Sequence, residues 1–438
     1  MLNTAKSRFR LESMGLLVAA IAFIGFSHVY DWFAPLDRLI YDATISRYTA
    51  DKHPDVVVVA IDDLSLEHYG RWPWSRSLQA RLLRRINDYS PRLVVADIVY
   101  SGVTADSGEL VAAAAATGRL ALPVMIDALA HGRQPVEVMP FPDLLDEADV
   151  LGHVQIEYDE DAIVRGVHLY QGVGSPAWPH LMLAVAEVLH GVSVPRCETE
   201  GGILTIAKCT YVRFPFAGAS GTYPQISAGQ ILTDGDLDPP LLRKALADKV
   251  VLIGISALGG GDAVSTPLGG DTTPMSGVEF NANLLAAIAQ ERLILPASTT
   301  QVIALGILFA GIACIALPLL RPKQALLMSL LTAIGPLVAT VAALVFGHTH
   351  FPLANATLAV VFIYPIWSWR RHEIAWAFIQ TELDRIDAEE GKWGNVADGV
   401  PVRNDVVSAL GHLLRGDVDA TELGGPSIRR STPLTPGE

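Results

Sequence analysis

The chain has 438 residues, half of them hydrophobic, and a net charge of −14. This length holds one large domain or two small ones beside membrane helices. The negative charge argues against a nucleic-acid-binding protein, which normally presents a basic surface. It does not identify a ligand, because acidic surfaces also keep proteins soluble.

The first feature along the chain is an apolar stretch over residues 14–30, which follows a short N-terminal segment, 1–13. Roughly 20 apolar residues suffice for a helix to cross a bilayer, so this stretch is predicted to be a transmembrane helix. Its exit holds Tyr30 and Trp32, which are typical interfacial anchors. The exit lacks the small residues that a signal peptidase prefers, so the helix is expected to be retained.

Residues 31–300 are predicted to form one mixed α/β domain. Its first half alternates patterns typical of buried parallel strands and amphipathic helices. These are strand 55–62, helix 77–88, strand 93–100, helix 109–117 and strand 120–126. The first strand, helix and strand predict a right-handed crossover with a parallel pair.

The second half of the domain changes character. Residues 151–157 and 163–171 are predicted to form an antiparallel hairpin around the acidic turn at 159–161. Cys197 and Cys209 flank a second turn signal and are a candidate disulfide, because oxidation is permitted outside the cell. The offset of the two cysteines from the turn is uneven, which leaves unpaired thiols as the alternative. A helix is predicted at 179–190, before the two cysteines, and after them the earlier pattern returns with helix 241–246, strand 249–254 and helix 278–289.

Three further membrane-length apolar stretches follow the domain, at residues 302–320, 325–347 and 351–369. Together with the first stretch they predict four transmembrane helices. Residues 370–423 are expected to be a cytoplasmic helical linker, and the Pro- and Gly-rich tail 424–438 to be disordered. The linker begins with an apolar seam of two heptads, formed by Trp376, Ile379, Leu383 and Ile386, which suits pairing in a homodimer. Two heptads are fewer than a coiled coil needs, so packing against a neighbouring part of the same chain is the alternative.

Basic residues indicate how the predicted helices are oriented, because cytoplasmic flanks are rich in Lys and Arg. They lie before the first helix, between the second and third, and after the fourth: Lys6, Arg8, Arg10, Arg321, Lys323, Arg370 and Arg371. All three clusters agree with cytoplasmic termini and a domain outside the cytoplasm. The expected location is the cell (inner) membrane, where the multi-pass chain contacts lipid.

Acidic residues follow the predicted strands at the edge where open α/β sheets bind ligands. Asp62 and Asp63 end the first strand, and Asp97 lies in the second. Their oxygens are candidate ligands for a divalent cation or a cationic compound. The alternative is structural: Asp63 or Ser65 caps a short helix, and Asp97 pairs with Arg76 or Arg92.

An aromatic and basic loop follows those acids and contains Arg71, Trp72, Trp74 and Arg76. The two indoles suit stacking on a planar ligand, and the arginines suit an anion. The alternative is that the indoles fill the open edge of the sheet and the arginines pair with nearby aspartates.

A glycine-rich segment follows the predicted strand 249–254 and ends at Asp262. It lacks the Lys-Ser/Thr pair of a phosphate-binding loop, so nucleotide binding is rejected and no cofactor is expected. Asp262 is instead a candidate to face the ligand cleft. His348 and His350 lie two residues apart, but two ligands do not make a metal site, and a solvent-facing turn is expected there. Whether the chain holds a metal stays open.

Four segments carry a family resemblance: IDDLSLEHYGRWPWSR (61–76), ADIVY (96–100), DKVVLIGISALGGGDAVSTPLGG (248–270) and SGVEFNANLLAAI (276–288). Over residues 31–300 the chain resembles the second type of CHASE domain, the external sensory domain associated with cyclases and histidine kinases. The resemblance extends to one membrane helix before the domain and three after it. It implies a sensory domain that passes a signal, as in two-component systems, to a cytoplasmic output domain or partner.

The sequence therefore favours a non-enzymatic membrane receptor for an unidentified ligand outside the cytoplasm. The alternative is the input region of a sensor histidine kinase or nucleotide cyclase, because the 68 residues after Arg370 are too few for either catalytic domain. A transporter is disfavoured, since the spans lack the buried charges that mark a transport path.

Overall fold

The structure is a computed structural model that describes residues 2–127, 134–196, 205–233, 239–257, 262–268 and 274–393. Its helices are α1 Leu2–Val29, α2 Ala34–Ile45, α3 Asp63–Tyr69, α4 Arg76–Asn87, α5 Ser107–Ala115, α6 Pro142–Leu145, α7 Leu181–His190, α8 Ala228–Leu232, α9 Pro239–Leu246, α10 Gly277–Ala289, α11 Thr299–Ala316, α12 Pro322–Gly347 and α13 Ala354–Trp393. Its strands are β1 Val56–Ile61, β2 Leu93–Ala96, β3 Leu120–Asp127, β4 Val136–Val138, β5 Val150–His153, β6 Gly166–Val173, β7 Trp178–Pro179, β8 Ile206–Arg213, β9 Gln225–Ser227, β10 Val250–Ile255, β11 Ala263–Val264, β12 Met275–Ser276, β13 Leu295–Pro296 and β14 Thr349–His350.

The centre of the domain is a seven-stranded mixed sheet with the order β4-β3-β2-β10-β1-β9, and β5 pairs with β3. Strands β1, β2, β9 and β10 are parallel, whereas β4 is antiparallel to β3. The sequence predicts the parallel direction of β1 and β2 but no strand at β9. Strand β10 lies between β1 and β2, so the predicted parallel pair are not direct neighbours. Segments far apart in the sequence therefore meet at one edge of the sheet.

Both faces of the sheet are buried. Successive side chains of a strand point to opposite faces, so Val56 and Val58 join one apolar cluster, and Val57 and Val59 join the other. Helices α7 and α10 cover the first face, and α4 and α5 cover the second. Burial on both sides explains why these strands are continuous β-branched runs rather than alternating patterns.

The predicted antiparallel hairpin at 151–157 and 163–171 is wrong. Strand β5 runs parallel to β3 in the central sheet. Strand β6 belongs to a separate antiparallel sheet with the order β7-β6-β8. The acidic turn between β5 and β6 does not close a hairpin, because its carboxylates bind a buried arginine instead.

That arginine is Arg165, whose side chain is only 1% exposed. Its guanidinium donates to Asp42 at 2.8 and 2.6 Å, to Asp159 at 2.6 Å, and to Asp161 at 2.9 and 2.7 Å. We call these four residues the Arg165 cluster. Because Asp42 belongs to α2, the cluster ties the helix that follows α1 to the body of the domain.

Three helical segments of the described chain are long and apolar enough to cross a membrane: Glu12–Val29, Thr299–Leu319 and Pro322–Gly347. By length and composition, the described helices thus include three candidate spans where the sequence predicts four. The fourth predicted segment, 351–369, lies in α13. Its polar Asn355, its Pro365 and the adjacent Arg370 lower the mean hydropathy of that part of the helix.

The first part of α13 nevertheless packs with the membrane helices. Ala356, Val360 and Ile363 join the apolar cluster that also contains Ile24 of α1 and Val302 of α11. The amide of Asn355 donates to the carbonyl oxygen of Ile24 at 3.2 Å. This part of α13 is thus a member of the helical bundle despite its composition.

Several predictions fall partly or wholly outside the described residues. Cys209 on β8 is disulfide-bonded and Cys314 is a buried free thiol. Cys197 lies outside the described residues, so its pairing with Cys209 stays a prediction. Residues 394–438, with the tail 424–438, are likewise not described. The apolar seam lies in α13 within a second compact unit that begins at Ser368, and its Trp376 is exposed.

Candidate functional site

A cavity of about 640 Å³ lies at the carboxyl-terminal edge of the central sheet. Its walls come from the loops after β2, β5 and β10, the loop before α4, and the first turns of α10. This is the edge where open α/β sheets bind ligands. We call the cavity the cleft. Five of the eight predicted ligand-binding residues line it: Trp72, Trp74, Arg76, Asp97 and Asp262.

Asp97 enters the cleft directly after β2. The side-chain amide of Asn281, on α10, donates to the Asp97 carboxylate at 2.8 Å. Burial raises the pKa of Asp97 to about 6, although the hydrogen bond from Asn281 acts in the opposite direction. A carboxylate in this position gains free energy from a proton or a cation.

Asn281 is one of three buried polar side chains on α10, and its hydrogen bonding differs from that of the other two. Glu279 accepts from the backbone N–H groups of Gly221 and Tyr223 at 2.9 and 3.1 Å. Asn283 both donates and accepts through its amide. The Oδ1 atom of Asn281 is buried and accepts no hydrogen bond from the described residues. Such an acceptor costs about 1–3 kcal/mol, which a ligand with a donor group would recover.

Asp262 lies against the first residue of α10. The backbone N–H of Gly277 donates to the Asp262 carbonyl oxygen at 2.9 Å. A Cβ atom at Gly277 would lie 2.5 Å from both carboxylate oxygens, so a larger residue there would displace the Asp262 side chain. Burial, and next the negative charge of Asp97, raise the pKa of Asp262 to about 7. The two carboxylates therefore act on each other within one cavity.

Trp72 and Trp74 form an aromatic wall of the cleft. Their ring centroids are 5.8 Å apart, with an angle of 60° between the ring planes. Trp74 is 5% exposed, and its indole N–H donates to the carbonyl oxygen of Gly70 at 3.0 Å. Trp72 is partly exposed and packs against the apolar cluster on one face of the sheet. The indoles thus both fill the edge of the sheet and face the cavity.

Neither arginine named as a structural partner of Asp97 binds it. The guanidinium carbon of Arg76 lies 4.6 Å from the centroid of the Tyr100 ring, a cation–π contact. Arg92 instead forms an ion pair with Asp248 at 3.0 Å. The predicted pairing is wrong because Arg92 lies at the opposite end of β2 and Arg76 is held by Tyr100.

Three predicted residues lie outside the cleft. Asp62 caps α3: its Oδ1 accepts from the Ser65 N–H at 2.9 Å and from the hydroxyls of Ser65 and Ser227 at 2.6 and 2.7 Å. The N-cap of α3 is therefore Asp62, and not Asp63 or Ser65 as predicted from the sequence. Asp63 is exposed and lines a neighbouring cavity of about 350 Å³. Arg71 is exposed and lines neither cavity.

Sequence reasoning missed Asn281, Gly277, Thr104 and Asp106, which also line the cleft. Asp106 accepts hydrogen bonds from the Ser77 N–H and the Thr104 hydroxyl, which lower its pKa to about 2. A signal existed for Asn281, because it is one of three polar residues spaced two apart in the first half of a helix that is otherwise apolar. Thr104 and Asp106 lie in a polar loop without any such signal.

His350 does not face solvent as predicted. It is 7% exposed, an Arg213 guanidinium nitrogen lies 3.1 Å from its Nδ1, and its ring packs edge-on against Tyr41. Burial lowers the pKa of His350 to about 3. In the described part of the chain, no three His, Cys, Asp or Glu side chains are grouped so that they could hold a metal ion.

Comparison with known proteins gives one match. A family model described as CHASE2 domain matches residues 15–316. This range is wider than 31–300 and includes most of the first two candidate membrane segments, so the membrane helices are not simply appended after the matching region. No curated protein and no solved structure matches the chain.

Proposed function

Because the chain belongs to the CHASE2 family of extracellular sensory domains, we propose that it is a transmembrane sensory receptor. It detects a signal outside the cytoplasm in the cleft and relays it to a cytoplasmic output partner. The observation that carries this proposal is the position of α10. Its first turns line the cleft, and the chain continues from its end through β13 into α11, a candidate membrane helix.

The contacts beyond α10 support such a relay. The backbone of Ile294 exchanges two hydrogen bonds with Arg213, at 2.9 and 2.7 Å. Strand β13 pairs with β14, which lies in the connection between α12 and α13. A displacement of α10 therefore reaches two places in the helical bundle. A ligand would drive it only by binding one of two arrangements more tightly.

The proposed topology places the domain outside the cell (inner) membrane and both termini in the cytoplasm. The basic flanks support it. The first part of α13 is included as a fourth membrane crossing because it packs against α1 and α11, although its composition alone does not mark it as a span. Asn355 contacts Ile24 at one end of α1, and Ile366 and Leu16 line a shared cavity nearer the other end, so the two helices run antiparallel.

Reporter fusions test this topology. A reporter that works only outside the cytoplasm should be active after Gly174 and inactive after Glu390. Activity at Glu390 would mean three crossings instead of four. Inactivity at Gly174 would place the domain in the cytoplasm and remove the receptor proposal.

The output is proposed to act in a partner or in a catalytic domain that this input region serves, as in a sensor histidine kinase or cyclase. The described residues are assigned no catalytic role. Dimerisation through the seam of Trp376, Ile379, Leu383 and Ile386 would give the output two copies of α13 to read, as the heptad spacing suggests.

The relay itself is testable by filling the cleft. Val99 lines the cleft, so a Val99→Cys variant in a Cys314→Ala background can be labelled there with a bulky maleimide. We expect hydrogen exchange of residues 290–298 and 317–323 to change on labelling. The control is Asp143→Cys, at an exposed site outside the cleft. Unchanged exchange in the labelled Val99→Cys protein would contradict the relay.

A further inference from the structure

The cleft contains a pair of carboxylates, Asp97 and Asp262, with which no cation of the described residues forms an ion pair. Asn281 lies beside them, and its buried Oδ1 accepts no hydrogen bond from the described residues. In the described part of the chain, no basic side chain contributes to the pKa of either aspartate. Buried charges without a partner are costly, and Asn281, at 3% exposure, has no donor for its oxygen. Arg76 also lines the cleft, but its guanidinium lies over the Tyr100 ring, so the two carboxylates lack a positively charged partner.

The rest of the lining decides which kind of cation fits. Much of the remaining wall is apolar, formed by the indoles and by Ile98, Val99, Val154, Ile156 and Ile255. The polar residues Ser75, Thr104 and Asp106 also line it, and Asp106 already accepts from Ser77 and Thr104. Calcium requires six to eight oxygen ligands and magnesium an octahedral set, and the described residues hold no group of three His, Cys, Asp or Glu side chains that could bind a metal ion. A cavity of this volume with mostly apolar walls and a few polar groups suits a small organic molecule.

We propose that the cleft binds a small organic ligand through its protonated amine, which Asp97 and Asp262 hold. The indoles of Trp72 and Trp74 cover the body of the ligand and attract its charge through their π faces. This assignment rests on the proposed sensory function and names the ligand class of the same cleft.

Two kinds of compound carry this chemistry: simple amines and amino acids. Arg76 lines the cleft and is held in place by Tyr100, so it is available to a carboxylate on the ligand. The acidic pair recognises the ammonium group that both kinds of compound carry. Comparing the affinity of an amine with that of the corresponding amino acid shows which kind the cleft prefers.

The test uses the full chain in lipid nanodiscs and isothermal titration calorimetry. The probes are 2-phenylethylamine, phenylalanine, putrescine and, as an uncharged match, 2-phenylethanol. At least one amine should bind at least tenfold more tightly than the alcohol. Asp97→Asn and Asp262→Asn should each weaken that binding at least tenfold. The control Asp143→Asn, at an exposed position outside the cleft, should change it less than twofold.

Four results would overturn the proposal: no amine binds; the alcohol binds as tightly as the amine; both cleft variants keep wild-type affinity; or Mg²⁺ or Ca²⁺ alone binds in an Asp97-dependent way while the amines do not. The last result would make the cleft a metal site. None of these results would affect the labelling experiment at Val99, so the relay can stand when the ligand class fails. A folded protein in each variant is verified by its thermal unfolding.

Discussion

The Arg165 cluster and the cleft are both groups of buried or half-buried carboxylates, and they differ in one component. In the cluster, a guanidinium makes five hydrogen bonds to Asp42, Asp159 and Asp161. In the cleft, Asp97 and Asp262 have no such cation among the described residues. The pKa values move in opposite directions: hydrogen bonds from Arg165 lower that of Asp161 to about 2, whereas burial raises those of Asp97 and Asp262.

The comparison shows that acidic residues do not by themselves indicate a binding site. A cluster that contains its own cation is satisfied and stabilises the fold, here by holding α2 against the domain. A cluster without a cation keeps an unfavourable free energy that a ligand can relieve. Stability and function therefore reside in chemically similar groups, and each can be tested by removing one charge.

The largest effect is expected at Arg165. The change Arg165→Met leaves three carboxylates without their partner, which should destabilise the protein by roughly 3 kcal/mol, the lower end for broken buried pairs, because the carboxylates are partly exposed. Chemical denaturation of the full chain measures it. The control Arg92→Met removes surface ion pairs and should cost less than about 1 kcal/mol. Equal losses of stability in the two variants would show that the Arg165 cluster stabilises the fold no more than surface ion pairs do.

In the cleft, removing a charge should stabilise the protein rather than destabilise it. Asp262→Asn removes a buried charge that has no cation, so at neutral pH it should stabilise the protein by roughly 1–3 kcal/mol. It should also abolish amine binding, the expected cost of a site built for function. Denaturation at pH 7.5 measures the first effect and calorimetry the second. A variant that lost stability as well as binding would mean that the carboxylate supports the fold.

The two regions should also respond differently to pH. The pKa of Asp262 rises from 3.8 to about 7 on folding, so its stabilising contribution is complete below pH 4 and is lost as pH rises through 7. The advantage of Asp262→Asn over the wild type should therefore appear between pH 4 and 7. Asp161 behaves oppositely: its contribution is present above pH 4 and is lost as pH falls through 2. The loss of stability caused by Arg165→Met should therefore shrink as the pH falls from 4 to 2. Denaturation is measured at several pH values and fixed salt, and curves of stability against pH that ran parallel for variant and wild type would contradict this reasoning.

A smaller difference in stability is expected between variants at Asp62 and at its neighbour Asp63. Asp62→Ala removes a helix cap with three accepted hydrogen bonds and should cost about 1–2 kcal/mol. Asp63→Ala, at an exposed position, should change stability by less than about 0.5 kcal/mol. Thermal unfolding compares the two. Neither change should affect amine binding, and a loss of binding in Asp62→Ala with an intact fold would extend the site to the end of β1.

The parallel core and much of the cleft were predictable from the sequence, because β-branched runs mark buried strands and the ends of parallel strands share one edge. Asp97, Asp262 and the indoles follow from that rule. The Arg165 cluster was not predictable, since Asp42 lies 123 residues before Arg165 and the acidic turn resembled a hairpin. Asn281 was missed for a similar reason: its role depends on Asp97, 184 residues away. Local patterns thus predict strands and edges, whereas partners distant in the chain require the fold.

The smallest expected effect concerns Arg76, which belongs to neither acidic group. Arg76→Met keeps the aliphatic length and removes the charge over Tyr100, so stability should fall by only about 0.5–1 kcal/mol. If Arg76 receives the carboxylate of an amino acid, the variant should lose affinity for phenylalanine severalfold and keep its affinity for 2-phenylethylamine. Calorimetry with both probes gives the ratio of the two affinities directly. The matched control is Arg71→Met, outside the cleft. An unchanged ratio would leave the acidic pair as the whole recognition element and favour simple amines, whereas parallel losses for both probes would mean that Arg76 only shapes the wall.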